Sequence, residues 1–200
     1  MKKIRDSPYE IWAEGKGKKY RDCITLLDKV LPEFDLKLLP PIVVVSNKKL
    51  GSGAISSYNH NDDVIYYNNY YHNIARVNQI TEDESFVSNN LKDIILHELG
   101  HKMHWDAVKR FYNVNKSKYN NIEEEKLTLD ENVSKYIGQQ ESSYLIYNVS
   151  TYAFTSYLIS KKNYPINSIN EVIAEEVTKN WISDPILHEL IKGELNYGKN

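Results

Sequence analysis

A chain of 200 residues can bury a sizeable core, and its 41% hydrophobic and 26% charged residues are ordinary globular values. The net charge of -2, with lysines only in short groups at Lys2-Lys3, Lys16 and Lys18-Lys19, excludes an electrostatic case for nucleic acid or anionic membrane partners. One cysteine, Cys23, excludes an internal disulfide.

In chain order, the first element is an amphipathic helix over Lys18 to Leu31. Tyr20, Ile24, Leu27 and Leu31 recur at spacings of three and four, and Pro32 ends the run. Cys23 falls inside this helix and reads as a small buried thiol rather than a nucleophile. Pro40-Pro41 then blocks helix entry, and Ile42–Val45 is a short β-branched run typical of a buried strand. Two more strands are expected at Ala54–Tyr58 and Val64–Tyr67, joined by the turn-forming Asn59 to Asp63. The small residues of "GSGAISS" suit a sheet edge or a close backbone approach, and equally a plain hairpin arm.

After a tyrosine-rich loop and the acidic "TEDES", Ser88 or Asn89 is placed to cap a helix that runs to about Tyr112. Residues 114–200 read as helical, with a polar connection at "NKSKYNNIEEEK" and a break at Pro165 before "SINEVIAEEVTKNW". Nothing resembles a repeat or a linker. A helix, a few strands and a run of helices make an α+β fold. It is expected as one domain, with a helix and small sheet over 1–87 and a long helix plus a mostly helical half over 88–200. "MKKIRDSPYEIW" lacks the apolar stretch of a signal peptide, and no segment approaches the ~18 apolar residues of a membrane span.

The chemistry concentrates in "IILHELGHKMHW", residues 94–105. "HELGH" is the HExxH pattern: on a helix, His97 and His101 stand one turn apart on one face and can reach the same ion. Glu98 beside them can accept a proton from water. Ile94, Ile95, Leu96 and Leu99 bury the helix, and buried imidazoles and a carboxylate are costly unless paired or metal-bound. Gly100, a poor helix residue, lets another element approach closely. The metzincin pattern is excluded, because it needs Gly at position 104 and His at 107 where this chain has His104 and Ala107. His104 is read as a surface or supporting histidine.

A third ligand must come from elsewhere, and an acidic residue on a later helix is the usual solution. The candidates are Glu123–Glu125, Asp130, Glu131, Glu141, Glu171, Glu175, Glu176 and Glu189. Glu123–Glu125 read as a solvated face. Glu171 and Glu175 stand four apart on one face of "NEVIAEE", beside the apolar Val172, Ile173 and Val177, with Ala174 giving clearance. One could bind the metal and the other hold a ligand histidine's far N–H. Ser168-x-x-Glu171 also fits a capping box, so Glu171 has a purely structural alternative. "HELIKG" at 188–193 imitates the motif but carries Lys192 where the second histidine belongs, and is read as an ordinary helix.

His97-Glu98-Leu99-Gly100-His101, then Ser150-Thr151-Tyr152-Ala153, then Glu171-Val172-Ile173-Ala174-Glu175 together resemble the gluzincin metallopeptidases of the anthrax lethal-factor type, a set that includes many phage-encoded domains. The likeness covers roughly residues 90–180. It implies a zincin-like fold, a Zn²⁺ cofactor held by His97, His101 and Glu171, Glu98 as general base, and Glu175 as a carboxylate behind the ligands. It also implies a tyrosine that stabilises the oxyanion. Tyr152 has the matching Ser-x-Tyr-Ala context but lies 19 residues before Glu171, whereas Tyr164 has the shorter spacing without that context.

The expected function is therefore a zinc endopeptidase acting on protein or peptide substrates, with a substrate strand laid along Ala54–Tyr58. A non-catalytic zincin-fold structural or interaction protein, phage- or toxin-associated, and a zinc amide hydrolase of another substrate are the alternatives. A monomer without nucleic-acid or membrane partners is expected, cytoplasmic or virion-associated, with export by another route left open.

Overall fold

The computed structural model describes residues 2–3, 9–51, 53–119 and 121–199. It is a mixed α+β structure that divides into two compact units, Met1–Glu84 with Ser88–Leu99 and Ser85–Val87 with Gly100–Asn200.

The first unit holds a five-stranded sheet in the order β1-β2-β3-β5-β4. The strands are β1 (Lys2–Lys3), β2 (Ile11–Ala13), β3 (Ile42–Val45), β4 (Ser56–Asn59) and β5 (Val64–Asn68). β2, β3 and β5 run parallel, and β1 and β4 pair antiparallel at the two ends. All four residues of β3 are buried, which is why its sequence is a continuous apolar run rather than an alternating one. Helix α1 (Lys18–Val30) contributes Cys23 and Leu27 to the core under the sheet, with Leu31 just beyond its end. Cys23 is fully buried, and burial pushes its thiol up to about 12, so it is inert filling. Leu91, Ile94, Ile95 and Leu99 complete this core from the start of α4 (Leu91–Asn115).

β4 is set in place by a buried side chain. The Asn68 carboxamide donates to Asn47 Oδ1, Gly51 O and Ala54 O at 3.0, 2.8 and 2.9 Å, and accepts from Tyr70 N at 2.9 Å. These bonds tie the short helix α2 (Asn47–Leu50), Gly51 and Ala54 to the end of β5. Gly51 ends α2 at φ +83°, a conformation that favours glycine.

In the second unit, the rest of α4 is followed by α5 (Ile122–Leu129), α6 (Glu131–Gly138), α7 (Tyr144–Asn148), α8 (Thr151–Asn163), α9 (Asn170–Thr178) and α10 (Pro185–Leu195). Ser150 caps α8 by accepting from Ala153 N at 3.0 Å. Asp184 caps α10 through Ile186 N and Leu187 N and also receives the hydroxyls of Tyr136 and Tyr144. Val172, Ile173 and Ala174 of α9 are fully buried.

Several sequence expectations need correction. The cap of α4 is Asn90, whose Oδ1 accepts from Asp93 N at 3.0 Å, not Ser88 or Asn89. The tyrosine-rich segment contains α3 (Ile74–Thr81), capped by Asn73, and the polar connection folds into α5, capped by Asn121. Strand β4 begins at Ser56 rather than Ala54. Ser168 does not cap α9, because it closes the one-turn 3-10 helix Pro165–Asn167 instead. Among the described residues, no helix is long and apolar enough to cross a membrane.

Candidate metal centre

Helix α4 carries the HExxH residues because its two ends are packed differently. Its first turns bury Ile94, Ile95 and Leu99, and its later turns bury His104, Trp105, Ala107 and Val108. His97 and His101 lie one turn apart and stay half-buried, as an ion-binding face open to solvent requires. Helix α9 supplies the third group. Glu171 Oε2 lies 3.5 Å from His101 Nε2, with the side chains 24% and 15% exposed. His97, one turn before His101 on the same helix, offers the next imidazole along that face.

Gly100 explains how α9 comes so near. A Cβ built on Gly100 would sit 2.8 Å from the Cα of Ala174 and 3.3 Å from its carbonyl oxygen. The pair of small residues thus lets two backbones touch, and Glu171 stands one turn before Ala174 on the approaching helix. The capping alternative for Glu171 fails for the reason given above, since no side chain caps α9.

The donor set fits zinc. Two imidazoles and one carboxylate are a known three-ligand combination for a four-coordinate ion with an open position. At Zn–ligand distances of about 2.0–2.1 Å, tetrahedral neighbours stand about 3.3–3.4 Å apart, close to the 3.5 Å between His101 and Glu171.

Glu98 is 5% exposed and fully engaged by the edge strand. Its Oε1 accepts from Ser56 Oγ at 2.7 Å and its Oε2 from Tyr58 N at 2.7 Å. Nothing local in the sequence announces this, since the partners lie some 40 residues away. Glu175 is fully buried and its Oε2 accepts from Val87 N at 3.0 Å. Tyr152 opens α8 half-buried, its amide donating to Ser85 O at 2.9 Å and its ring 4.7 Å from that of Phe86. Tyr164 is 66% exposed at the end of the same helix.

Two of the other carboxylate candidates, Glu176 and Glu189, are paired elsewhere. Glu176 pairs with Lys179 and, at 3.1 Å, with His188 of the "HELIKG" helix. Glu189 pairs with Lys192 on the surface at 3.3 Å. Glu125 is buried, not solvated as the charge run suggested, and burial raises its pKa.

His104 is not at the surface. It is fully buried, with Nε2 at 2.9 Å from Asp130 and 3.0 Å from Glu194. These three also lie close enough to hold an ion. However, Lys126 already sits on the second oxygen of Asp130. With Lys126 charged, protonating His104 brings two cations against two carboxylates, so a proton balances this cluster without a metal. Burial and Lys126 press the His104 pKa down, but Asp130 and Glu194 outweigh them and it ends raised. Burial lifts Glu194 to about 7 against the pull of His104. Burial also acts to raise Asp130, but His104 and Lys126 hold it low.

Comparison with protein-family models, curated proteins and solved structures finds no match to this chain.

Proposed function

We propose that the chain is a zinc-dependent endopeptidase with a zincin-like, gluzincin-type centre. The observation that carries the reading is the pairing of His101 with Glu171 of α9 at the solvent-open turn of α4, with His97 one helical turn earlier and the carboxylate of Glu98 next to it in the chain.

Zinc in such a site supplies Lewis acidity, acidifying water and polarising the scissile carbonyl. Glu98 is the general base: its carboxylate takes the proton of the attacking water and returns it to the leaving amine. The burial of Glu98 keeps bulk water from competing for that carboxylate. The hydroxyl of Tyr152 donates to the oxyanion of the tetrahedral intermediate. Glu175, buried behind the ligand residue on the same face of α9, braces that helix through the Val87 amide. A protein or peptide substrate lies extended along β4, the edge strand, with main-chain bonds setting the direction of cleavage.

The test pairs zinc analysis with a broad peptide-library digest on wild type and Glu98→Gln. The expected result is about one zinc per chain in both, with cleavage only by wild type. Zinc bound without any cleavage by wild type favours the non-catalytic alternative, and full cleavage by Glu98→Gln sinks the mechanism.

A further inference from the structure

The contact between Glu98 and the edge strand assigns a task to a residue outside the HExxH motif. In an antiparallel pair, alternate residues turn their N–H and C=O toward the partner and away from it. Asn68 N donates to Ile55 O at 2.8 Å, and the register continues Ser56↔Tyr67, Ser57↔Tyr66 and Tyr58↔Ile65. Ser57 therefore faces β5, and the main-chain groups of Ser56 and Tyr58 face outward from the sheet edge. The outward N–H of Tyr58 goes to Glu98 Oε2 and the Ser56 hydroxyl goes to Oε1, both at 2.7 Å.

Two donors on two different oxygens fix both the direction and the twist of one carboxylate. A surface glutamate loses that order to rotamer freedom, whereas a base must meet its proton within hydrogen-bond reach. Main-chain amides come with any strand, so the Tyr58 contact carries no side-chain choice. The hydroxyl at position 56 is a choice, because alanine there would keep the strand and drop the bond.

We propose that Ser56 is a positioning residue for Glu98, its hydroxyl holding the base carboxylate in register with the scissile carbonyl while the Tyr58 amide holds the second oxygen. The proposal rests on the peptidase reading and adds the residue that orients its base. The alternative sense of the same contact is that β4 parks Glu98 away from its work, and the two senses predict opposite effects on turnover.

The experiment uses the zinc-loaded full chain with a peptide found in the library digest, comparing wild type, Ser56→Ala and Ser56→Thr. The expected result for Ser56→Ala is a kcat lower by about tenfold or more with KM within about twofold. Ser56→Thr, which keeps the hydroxyl, should recover most of the loss. An unchanged or raised kcat in Ser56→Ala overturns the proposal, as does a Ser56→Thr no better than Ser56→Ala.

A second measurement needs no activity. Amide exchange at Tyr58, followed by NMR, should be slowed in wild type and at least about tenfold faster in Glu98→Ala, with Ser57 much less affected. Equal Tyr58 exchange in the two proteins overturns the hold itself. A chain that cuts no peptide yet shows this Tyr58 protection overturns the peptidase reading, and the catalytic role of Ser56 with it, while leaving the hold supported.

Discussion

Replacing Gly100 by alanine should loosen the helix contact that brings Glu171 to the histidines. An alanine Cβ there would meet the Ala174 Cα at 2.8 Å, its carbonyl oxygen at 3.3 Å and the Val177 Cβ at 3.3 Å. Carbon atoms at rest stand about 3.5–4.0 Å apart, and a backbone atom cannot rotate out of the way. Helix α9 must therefore retreat by roughly 0.7–1 Å. Overpacking of this kind costs about 1–3 kcal/mol, against about 1 kcal/mol gained from replacing a helical glycine. The net expectation is a loss of about 0–2 kcal/mol, read as a lower urea midpoint at unchanged slope. Glu171 rides on the same helix, so zinc affinity measured by chelator competition should fall about tenfold or more. Gly193 is the control: a Cβ there meets nothing within 4 Å, so Gly193→Ala should be about 0.5–1 kcal/mol more stable with zinc affinity unchanged. A Gly100→Ala protein as stable as wild type, binding zinc equally well, would refute this account of how α9 is placed.

Three further outcomes follow from the same geometry. Glu194, raised from 4.5 to about 7, contributes stability that is fully present below pH 4.5 and lost as pH rises through about 7. His104, also raised, contributes in the same sense above 6.5, whereas the lowered Asp130 matters only below 3.8. Urea titrations should therefore show stability falling between about pH 5 and 8, by on the order of 3 kcal/mol, and the fall should flatten in Glu194→Gln. Tyr152→Phe should keep zinc and stability but lose about 10²-fold in kcat, while Tyr164→Phe, altered at an exposed site, should match wild type in the same peptide assay. Ser150→Ala removes the cap of α8 and should cost about 1 kcal/mol in thermal or urea unfolding.

Much of this was legible in the sequence where periodicity is strong and local. Helix α1, strands β3 and β5 and the start of α4 carry apolar patterns that their burial repeats. Gly100 and Ala174 each read as small residues that leave clearance, but that they face one another is visible only in the folded chain, since 74 positions separate them. β1 and β2 were not legible, because two- and three-residue strands leave no period to read. Helix α3 was legible in principle, since Asn73 and the spacing of Ile74, Val77 and Thr81 mark it, but the surrounding tyrosines masked the pattern. Ser168 and Glu171 have the right spacing for a capping box, yet Pro165 starts a separate turn that uses Ser168 first.

Polar residues were misjudged where their burial depends on partners far along the chain. His104 looked like a neighbour of the motif because Asp130 lies 26 residues later and Glu194 lies at the far end of the chain. Lys126, the last residue of the polar connection, is likewise buried against Asp130 four residues on. The hold on Glu98 by Ser56 and Tyr58 is a third such pairing, set by the sheet edge rather than by the motif.

The central claim is that α4 and α9 together hold one zinc ion. Anomalous scattering from crystals of the zinc-loaded protein, recorded on both sides of the zinc edge, tests it most directly. The account predicts one strong peak bound by His97, His101 and Glu171, with the His104, Asp130 and Glu194 cluster free of metal. A peak without Glu171, or one seated on His104, would contradict it.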